Sequence, residues 1–129
     1  MRNFLFFAIF FISINVFAED IHSLPYGGKW ESYSTWFGGK IPTKDDNVVL
    51  MNNITISSPI ICKNLLILKS GSLTIKSPAK KSYKVEILEK LRIEGGILTI
   101  EDKCNVKVGE IIKTPDSEVH NSGILEVGK

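Results

Sequence analysis

The sequence predicts an all-β protein in which short strands wind into a right-handed parallel β-helix of few coils. A repeated phrase is the main observation: LILKSGSLTI, which ends at Ile75, and LRIEGGILTI, which ends at Ile100, are identical at five of ten positions. An Ile-Thr-Ile string that ends at Ile56 precedes them, and Gly-Ile-Leu-Glu-Val at 123–127 follows and resembles the second copy. β-Rich strings that recur at a period in the low twenties are typical of a solenoid with stacked coils.

Apolar and polar residues alternate within the repeats, as expected for strands with one buried face. Leu73 and Ile75 are predicted to face the core and Thr74 the solvent, and the same pattern recurs at 98–100. Turns such as Ser70-Gly71 separate the strings, and no stretch has a convincing helical pattern. A β-sandwich of about seven strands is the alternative, but it explains the period poorly. The predicted strands are residues 47–51, 54–56, 60–62, 65–68, 73–75, 85–88, 91–93, 97–100, 105–108 and 124–127.

Residues 1–18 have the layout of a secretory signal peptide. Arg2 gives the start a positive charge, residues 4–17 are almost wholly apolar, and Val-Phe-Ala precedes Glu19. This arrangement predicts export and cleavage after Ala18. A retained membrane anchor is the alternative, although a span needs about 20 apolar residues. We therefore expect a secreted, periplasmic or cell-surface protein without a stable membrane span.

The rest of the chain, from Glu19 to Lys129, suits one domain. We divide it into a cap segment at 19–46 and β-helix coils at 47–129. The formal net charge is +2 for the full sequence and +1 without residues 1–18. This balance gives no argument for nucleic acid or for a strongly acidic partner.

Two tryptophans and several glycines lie directly before the first predicted coil, within residues 27–42. A solenoid has unpaired strand edges at its ends, and natural solenoids cover them. The aromatic residues therefore predict a cap, in which a proline sets a turn and an aspartate bonds backbone amides where the first strand begins. The predicted structural residues of the cap are Trp36, Gly38, Gly39, Pro42 and Asp46.

Cys62 and Cys104 are the only cysteines in the sequence. An exported pair is often a disulfide, but the repeat places these two residues two coils apart. Strands stack about 4.8 Å apart, so two coils separate the cysteines by roughly 10 Å, whereas a disulfide needs Cα atoms within about 7 Å. Buried free thiols are therefore the prediction.

A family resemblance adds to this interpretation. The pattern Trp…Thr-Trp-x-Gly-Gly-x-x-Pro…Asp-x-Val-x-Leu, then Ile-Thr-Ile, Leu-x-Ile-x-x-Gly-x-Leu-x-Ile and Ile-Glu-Gly-Gly-x-Leu-x-Ile, resembles the eight-glycine domain, a β-helical module of extracellular and cell-surface proteins. The same opening looks like the start of many secreted bacterial β-helix proteins. The resemblance covers about residues 28–101 and is most specific at 36–39 and 93–98. It implies an extracytoplasmic module, often linked to carbohydrate or cell-surface recognition.

The departures from the family pattern limit what the resemblance implies. Relatives usually continue into a longer β-helix, where catalytic or ligand sites lie. Gly71 stands alone where a glycine pair is expected, and the glycine often seen after Ile100 is missing. The resemblance therefore implies an architecture rather than an activity.

The sequence offers little catalytic or metal-binding chemistry. His22 and His120 lie near opposite ends of the chain, and neither has a neighbour at metal-ligand spacing. No nucleophile motif or phosphate-binding glycine loop is present. Asp45-Asp46 could hold calcium with backbone carbonyls, but a turn-capping pair is the preferred interpretation. We therefore predict a protein that is not an enzyme and that has no metal or cofactor.

An aromatic segment is the first feature that predicts binding. Tyr26, Trp30 and Tyr33 lie in one glycine-rich stretch. Aromatic rings stack on the apolar faces of sugars while nearby polar groups meet the hydroxyls. The alternative is that Trp30, Trp36 and Phe37 form the core of the cap, which leaves the two tyrosines free for a ligand.

A lysine-rich loop is the second such feature. Lys80, Lys81 and Tyr83 belong to the segment at 76–84, which has four lysines and one proline between two predicted strands. This segment suits an anionic glycan or a lipid headgroup. The alternative is a solvated loop that keeps a β-rich protein soluble.

Together these features predict a small exported module that recognises carbohydrate or another component of the cell envelope. One alternative is a structural element whose open last coil, with Ile124, Leu125 and Val127, docks onto a partner or a second copy. Another is a remnant of a longer β-helical carbohydrate-active protein.

Export predicts a defined N-terminus for the mature chain. Mass spectrometry of the exported protein should find a chain that begins at Glu19, because the charged start, the apolar run and the small residue Ala18 suit signal peptidase. Recovery of an intact Met1 form held in a membrane would contradict this prediction.

Overall fold

A computed structural model describes residues 20–78 and 81–128, so the signal peptide predicted at 1–18 lies outside the described residues. Strands make up 58% and helix 3% of the structure, and the parallel sheets wind into a solenoid of about four turns. The predicted fold class is confirmed. The described strands are β1 (Asp20–His22), β2 (Gly28–Lys29), β3 (Asn47–Leu50), β4 (Asn53–Ile56), β5 (Ile60–Cys62), β6 (Asn64–Leu68), β7 (Ser72–Ile75), β8 (Tyr83–Glu94), β9 (Ile97–Ile100), β10 (Cys104–Lys113), β11 (Glu118–Asn121) and β12 (Ile124–Val127), and a short 3₁₀ turn spans Tyr33–Thr35.

The strands pair in parallel and form two sheets. The seven-stranded sheet has the order β1-β3-β6-β8-β10-β12, with β5 also on β8, and the five-stranded sheet has the order β11-β9-β7-β4-β2. The long strand β8 continues around a corner, because its first half pairs with β5 and its second half with β6. A full coil therefore contains three strand segments, such as β5, β6 and β7.

Apolar residues of successive coils stack in register inside the solenoid. Ile56 pairs with Ile75, and Ile75 pairs with Ile100. The repeat seen in the sequence therefore reflects the register of the five-stranded sheet. These three side chains have no exposed surface, and burial of such a side chain stabilises the fold by about 1.5–3 kcal/mol.

The repeated phrase is not in register over its whole length. Leu73 pairs with Leu98, as the repeat requires, but Leu65, not Leu66, pairs with Leu91. The turn before Leu73 is longer by one position than the turn before Leu98. Such a shift reverses the faces of a strand, so Leu65 faces the core and Leu66 faces outward.

Other strands also differ from the sequence prediction. Residues 85–88 and 91–93, predicted as separate strands, belong to the single strand β8, and β11 has no counterpart among the predicted strands. Because β11 pairs with β9, the residue that stacks on Leu98 is Val119. Leu125, which follows Leu98 in the sequence repeat, instead lies in β12 on the first half of β10.

Glycine is required at the corners where the backbone of one coil passes close to that of the next. A Cβ atom on Gly71 would lie 2.3 Å from the carbonyl oxygen of Leu50, and one on Gly96 would lie 2.6 Å from that of Leu68. No side chain fits at these distances unless the backbone moves. The glycines that mark the repeat in the sequence thus permit close stacking of the coils.

The cap is built around Trp30 and Trp36. Both side chains are buried, and their rings meet edge to face with centroids 5.1 Å apart, an arrangement that aromatic pairs favour. Trp36 Nε1 donates a hydrogen bond of 2.9 Å to the carbonyl oxygen of Trp30. The burial of Trp36 agrees with its assignment to the structural core of the cap.

The segment after the 3₁₀ turn covers the outer edge of β1. Ser23 and Trp36 form an antiparallel bridge. The Phe37 N–H donates to the carbonyl oxygen of His22 at 2.9 Å. This pairing uses backbone groups that would otherwise leave the edge of the sheet open to other chains.

The other predicted cap residues lie in two turns. Gly38 and Gly39 have φ of 85° and 66°, the left-handed region that favours glycine. Pro42 is buried. Asp46 is also buried, and its Oδ2 accepts hydrogen bonds from the Thr43 backbone N–H (2.8 Å) and hydroxyl (3.0 Å). Asp46 therefore closes a turn directly before β3.

Two neighbouring aromatic residues should differ sharply in their effect on stability. Trp36 is 1% exposed and Phe37 is 69% exposed, so Trp36→Ala should lower the free energy of unfolding by about 3–5 kcal/mol. The matched control Phe37→Ala should change it by less than about 1 kcal/mol. Chemical denaturation followed by circular dichroism measures both values. An unchanged unfolding midpoint for Trp36→Ala would show that the cap is not anchored by this residue.

Candidate functional site

Three aromatic side chains of the cap are open to solvent: Tyr26 is 88% exposed, and Tyr33 and Phe37 are each 69% exposed. Tyr26 lies in the turn that follows Leu24, and Tyr33 begins the 3₁₀ turn. The Leu24 N–H donates to the carbonyl oxygen of Thr35 at 2.8 Å, which ties the two turns together. The cap thus presents exposed aromatic surface on a hydrogen-bonded backbone.

Two of the aromatic assignments need correction. A ligand contact at Trp30 is wrong, because this side chain has no exposed surface, whereas Phe37, placed in the cap core by the alternative interpretation, is mostly exposed. The backbone at Trp36 is extended, with φ −112° and ψ 142°, so adjacent side chains point to opposite sides. Because Trp36 points inward, Phe37 points outward. The alternation of inward and outward side chains along an extended backbone, applied to Trp36 and Phe37, would have predicted this arrangement.

A cavity of about 310 Å³ lies beside Phe37. The Ser23 hydroxyl at its edge accepts a hydrogen bond of 2.8 Å from the Met51 backbone N–H, so this hydroxyl is held in place by the fold. The walls are mainly apolar, with one imidazole. The lining residues are His22, Ser23, Leu24, Pro25, Phe37 and Met51.

A row of outward-facing residues crosses the seven-stranded sheet. Pairing places His22 beside Val49, Val49 beside Leu66, and Leu66 beside Arg92. We call these four residues the lateral row. Adjacent strands lie about 4.8 Å apart, so the row runs along the axis of the solenoid. Sequence reasoning missed it, because the row depends on the register between coils rather than on any local motif.

A ladder of side-chain amides runs parallel to the lateral row. Asn64 Nδ2 donates to Asn47 Oδ1 at 2.9 Å, and Asn47 Nδ2 donates to Asp20 Oδ1 at 3.2 Å. Asn64 Oδ1 in turn accepts from the Lys90 backbone N–H at 2.9 Å. We call Asp20, Asn47 and Asn64 the amide ladder. Each amide is fixed by its neighbours on the adjacent coils.

Three residues of the lateral row, Val49, Leu66 and Arg92, border one groove together with the amide ladder. Its volume is about 350 Å³, within the range of about 300–1,000 Å³ that ligand sites occupy. Its apolar surface comes from outward valine and leucine side chains, and its polar surface comes from the ladder, which includes Asp20, and from three further charged residues. The lining residues are Asp20, Asn47, Val48, Val49, Asn64, Leu65, Leu66, Glu89, Lys90 and Arg92.

A further cavity, of about 490 Å³, lies between the cap and the corner that follows β4. The indole N–H of Trp30 is buried with no hydrogen-bond partner among the described residues, at a cost of about 1–3 kcal/mol. Glu31, on the cavity wall, already accepts hydrogen bonds from the Ser57 N–H (3.1 Å) and the Ser58 hydroxyl (2.6 Å). The Glu31 carboxylate therefore already has hydrogen-bond partners within the protein.

The lysine-rich loop presents fewer side chains to a ligand than the sequence predicts. Lys81 is exposed, and Lys80 lies outside the described residues. The Tyr83 hydroxyl donates to the carbonyl oxygen of Lys76 and lies 3.2 Å from that of Ile56. Burial raises the pKa of Tyr83, with a smaller contribution from the neighbouring Cys104. The Tyr83 hydroxyl is thus engaged by backbone carbonyl groups of the same protein. Among the described residues of this loop that were predicted to contact a ligand, Lys81 is exposed.

Both cysteines are buried free thiols, as predicted. Cys62 pairs with Ile87 and Cys104 with Tyr83, so the two thiols lie at different positions along the sheet. Burial, with a smaller effect of the Asp46 charge, raises the pKa of Cys62 to about 12. Burial also raises the pKa of Cys104. Because a thiolate is the reactive form, burial and the raised pKa disfavour reaction of both thiols at neutral pH.

The described residues, 20–78 and 81–128, contain no group of three or more His, Cys, Asp or Glu side chains that could hold a metal ion. His120 Nε2 lies 2.9 Å from Glu118 Oε1 on the surface of β11. Within the same part of the chain, no helix has the length and apolar character needed to span a bilayer.

Comparison with protein-family models, with curated proteins and with solved structures finds no match to this chain. The resemblance to the eight-glycine domain therefore stays a prediction that rests on the sequence motifs.

Proposed function

We propose that this chain is a non-catalytic recognition module, exported from the cell, whose cap binds a carbohydrate or another component of the cell envelope. The observation that carries the proposal is the exposure of Tyr26, Tyr33 and Phe37 on one cap. Exposed aromatic rings stack on the apolar C–H faces of sugar rings. Large apolar side chains that stay open to solvent in a group are typical of interaction sites.

The rigidity of the cap supports this proposal. The turns that carry Tyr26 and Tyr33 are joined by the hydrogen bond between Leu24 and Thr35, and the same segment contains the buried, packed pair Trp30 and Trp36. A preordered surface loses little conformational entropy when it binds a ligand. The cavity beside Phe37 adds apolar walls and one imidazole, a combination that suits a partly apolar ring with hydroxyl groups.

The cap tyrosines should matter for affinity and not for stability. The double variant Tyr26→Ala/Tyr33→Ala should weaken binding of a glycan ligand by about tenfold or more, since each stacked ring contributes about 0.5–1.5 kcal/mol beyond its area. A glycan array identifies the ligand, and isothermal titration calorimetry measures the Kd.

The control for this experiment is Ile97→Ala. Ile97 is 37% exposed and lies in β9 of the five-stranded sheet, so its replacement should leave the Kd unchanged. If a glycan binds and the double variant retains full affinity, the cap is not its binding surface.

A second candidate function, assembly through the last coil, is favoured by the exposure of β12. Ile124 and Val127 are 54% and 55% exposed. Leu125 and Val127 pair with the inward residues Val106 and Val108, so they continue the core side of the coil. Among the described strands, β12 pairs with β10 alone and its other edge is open. Open edges with apolar residues recruit further strands.

Self-association through this edge should depend on the inward side of β12. Leu125→Lys should abolish a dimer or larger species seen by size-exclusion chromatography with light scattering, because a charge on the inward face opposes packing of a second chain. Glu126→Lys, on the outward face, is the control and should leave assembly intact. A wild-type protein that is strictly monomeric at all concentrations would refute this second function.

A further inference from the structure

The groove between the lateral row and the amide ladder has two chemically different sides. The half-buried Val49 and Leu66 side chains give it an apolar side, and Asn47 and Asn64 give it a polar side. Sugar rings have the same division, with apolar C–H faces and hydroxyl edges. A groove with this division matches the amphipathic character of a glycan chain.

The amide ladder keeps hydrogen-bonding capacity for a ligand. An amide nitrogen carries two hydrogens, and the ladder uses one hydrogen each from Asn47 and Asn64. The amide orientations are fixed by bonds to the neighbouring coils. The second N–H of each residue is therefore a donor held in place before any ligand arrives, which lowers the entropic cost of binding.

The charges of the groove balance. Asp20 and Glu89 supply two negative groups, and Lys90 and Arg92 supply two positive groups. Arg92 is in addition paired with Glu94 at 3.0 Å. An anionic polymer would gain little from such a lining, because attraction to the basic groups is offset by repulsion from the acidic ones. The balance favours a neutral ligand.

The direction of the groove suits an extended chain. The lining of the groove runs from Asp20 on β1 across β3 and β6 to Arg92 on β8, which is three strand spacings of about 4.8 Å each. A strand spacing is close to the length of one sugar unit in an extended glycan. His22 of the lateral row lines the cavity beside Phe37. His22 does not line the groove, so the groove and the cap cavity have no lining residue in common.

We propose that this groove binds about three units of a neutral, extended glycan that runs along the solenoid axis. Val49 and Leu66 contact the ring faces, and the amides of Asn47 and Asn64 donate to the hydroxyls. This inference rests on the proposed carbohydrate-binding function. It adds the surface, the direction and the charge class of the ligand.

The test uses the purified protein with neutral probes (cellohexaose, chitohexaose and maltohexaose) and the anionic probe hexagalacturonate. Calorimetry should show binding of a neutral probe with little dependence on salt. Leu66→Glu should raise its Kd at least about tenfold, since a charge then stands against the ring faces. Ile97→Glu, an equivalent change on the five-stranded sheet, should leave the Kd unchanged. In ¹⁵N NMR spectra of the wild type, the side-chain amides of Asn47 and Asn64 should shift on binding.

The outcomes separate this inference from the function on which it rests. Neutral binding that survives Leu66→Glu but is lost in Tyr26→Ala/Tyr33→Ala would overturn the groove and keep the cap as the site. Loss in Leu66→Glu with full binding by the tyrosine variant would support the groove and overturn the cap. Preference for hexagalacturonate with strong salt dependence would overturn the neutral class. Absence of binding to every probe would overturn the groove inference, whereas the cap function is tested separately by the glycan array.

Discussion

The stacking of apolar side chains between coils is the interaction on which the rest of this structure depends. A single coil is too small to bury its own apolar face, so it is stable only against its neighbours. Ile56, Ile75 and Ile100 occupy the same position in three successive coils. The same parallel register that aligns these residues inside aligns Val49 and Leu66 outside. The lateral groove is thus a direct geometric result of how the core is packed.

The period and the alternation of the sequence suffice to predict the fold class and the inward residues of the five-stranded sheet. They do not suffice for β6 of the seven-stranded sheet, where one extra position in the following turn makes Leu65, not Leu66, the inward side chain. Turn length is set by how each corner packs, and corners with similar sequences differ in length. Strand β11 was not predicted because its hydrophobic pattern is weak: Val119 alone of its residues has a large apolar side chain. Backbone pairing with β9 holds this strand in the sheet.

The candidate site was partly accessible from the sequence. An aromatic cluster in a glycine-rich segment indicated the cap, and Tyr26 and Tyr33 are exposed there. Trp30 is buried, as the cap-core alternative predicted, but Phe37 is exposed, because the extended backbone at Trp36 turns the side chains of residues 36 and 37 to opposite sides. The groove could not be predicted from local sequence motifs. Its walls come from four strands that are distant in sequence, and only the register between coils brings them together.

The unequal ends of the solenoid have a consequence for local stability. At one end, backbone pairing and the buried Trp36 hold the first coil in place. At the other, Val127 packs on one side only and is 55% exposed. Since each coil contacts only its neighbours, the free energy of local opening should fall from the cap toward β12. Among the described coils, the capped end then has the highest free energy of local opening, so the exposed aromatic residues lie on the part that keeps its shape best.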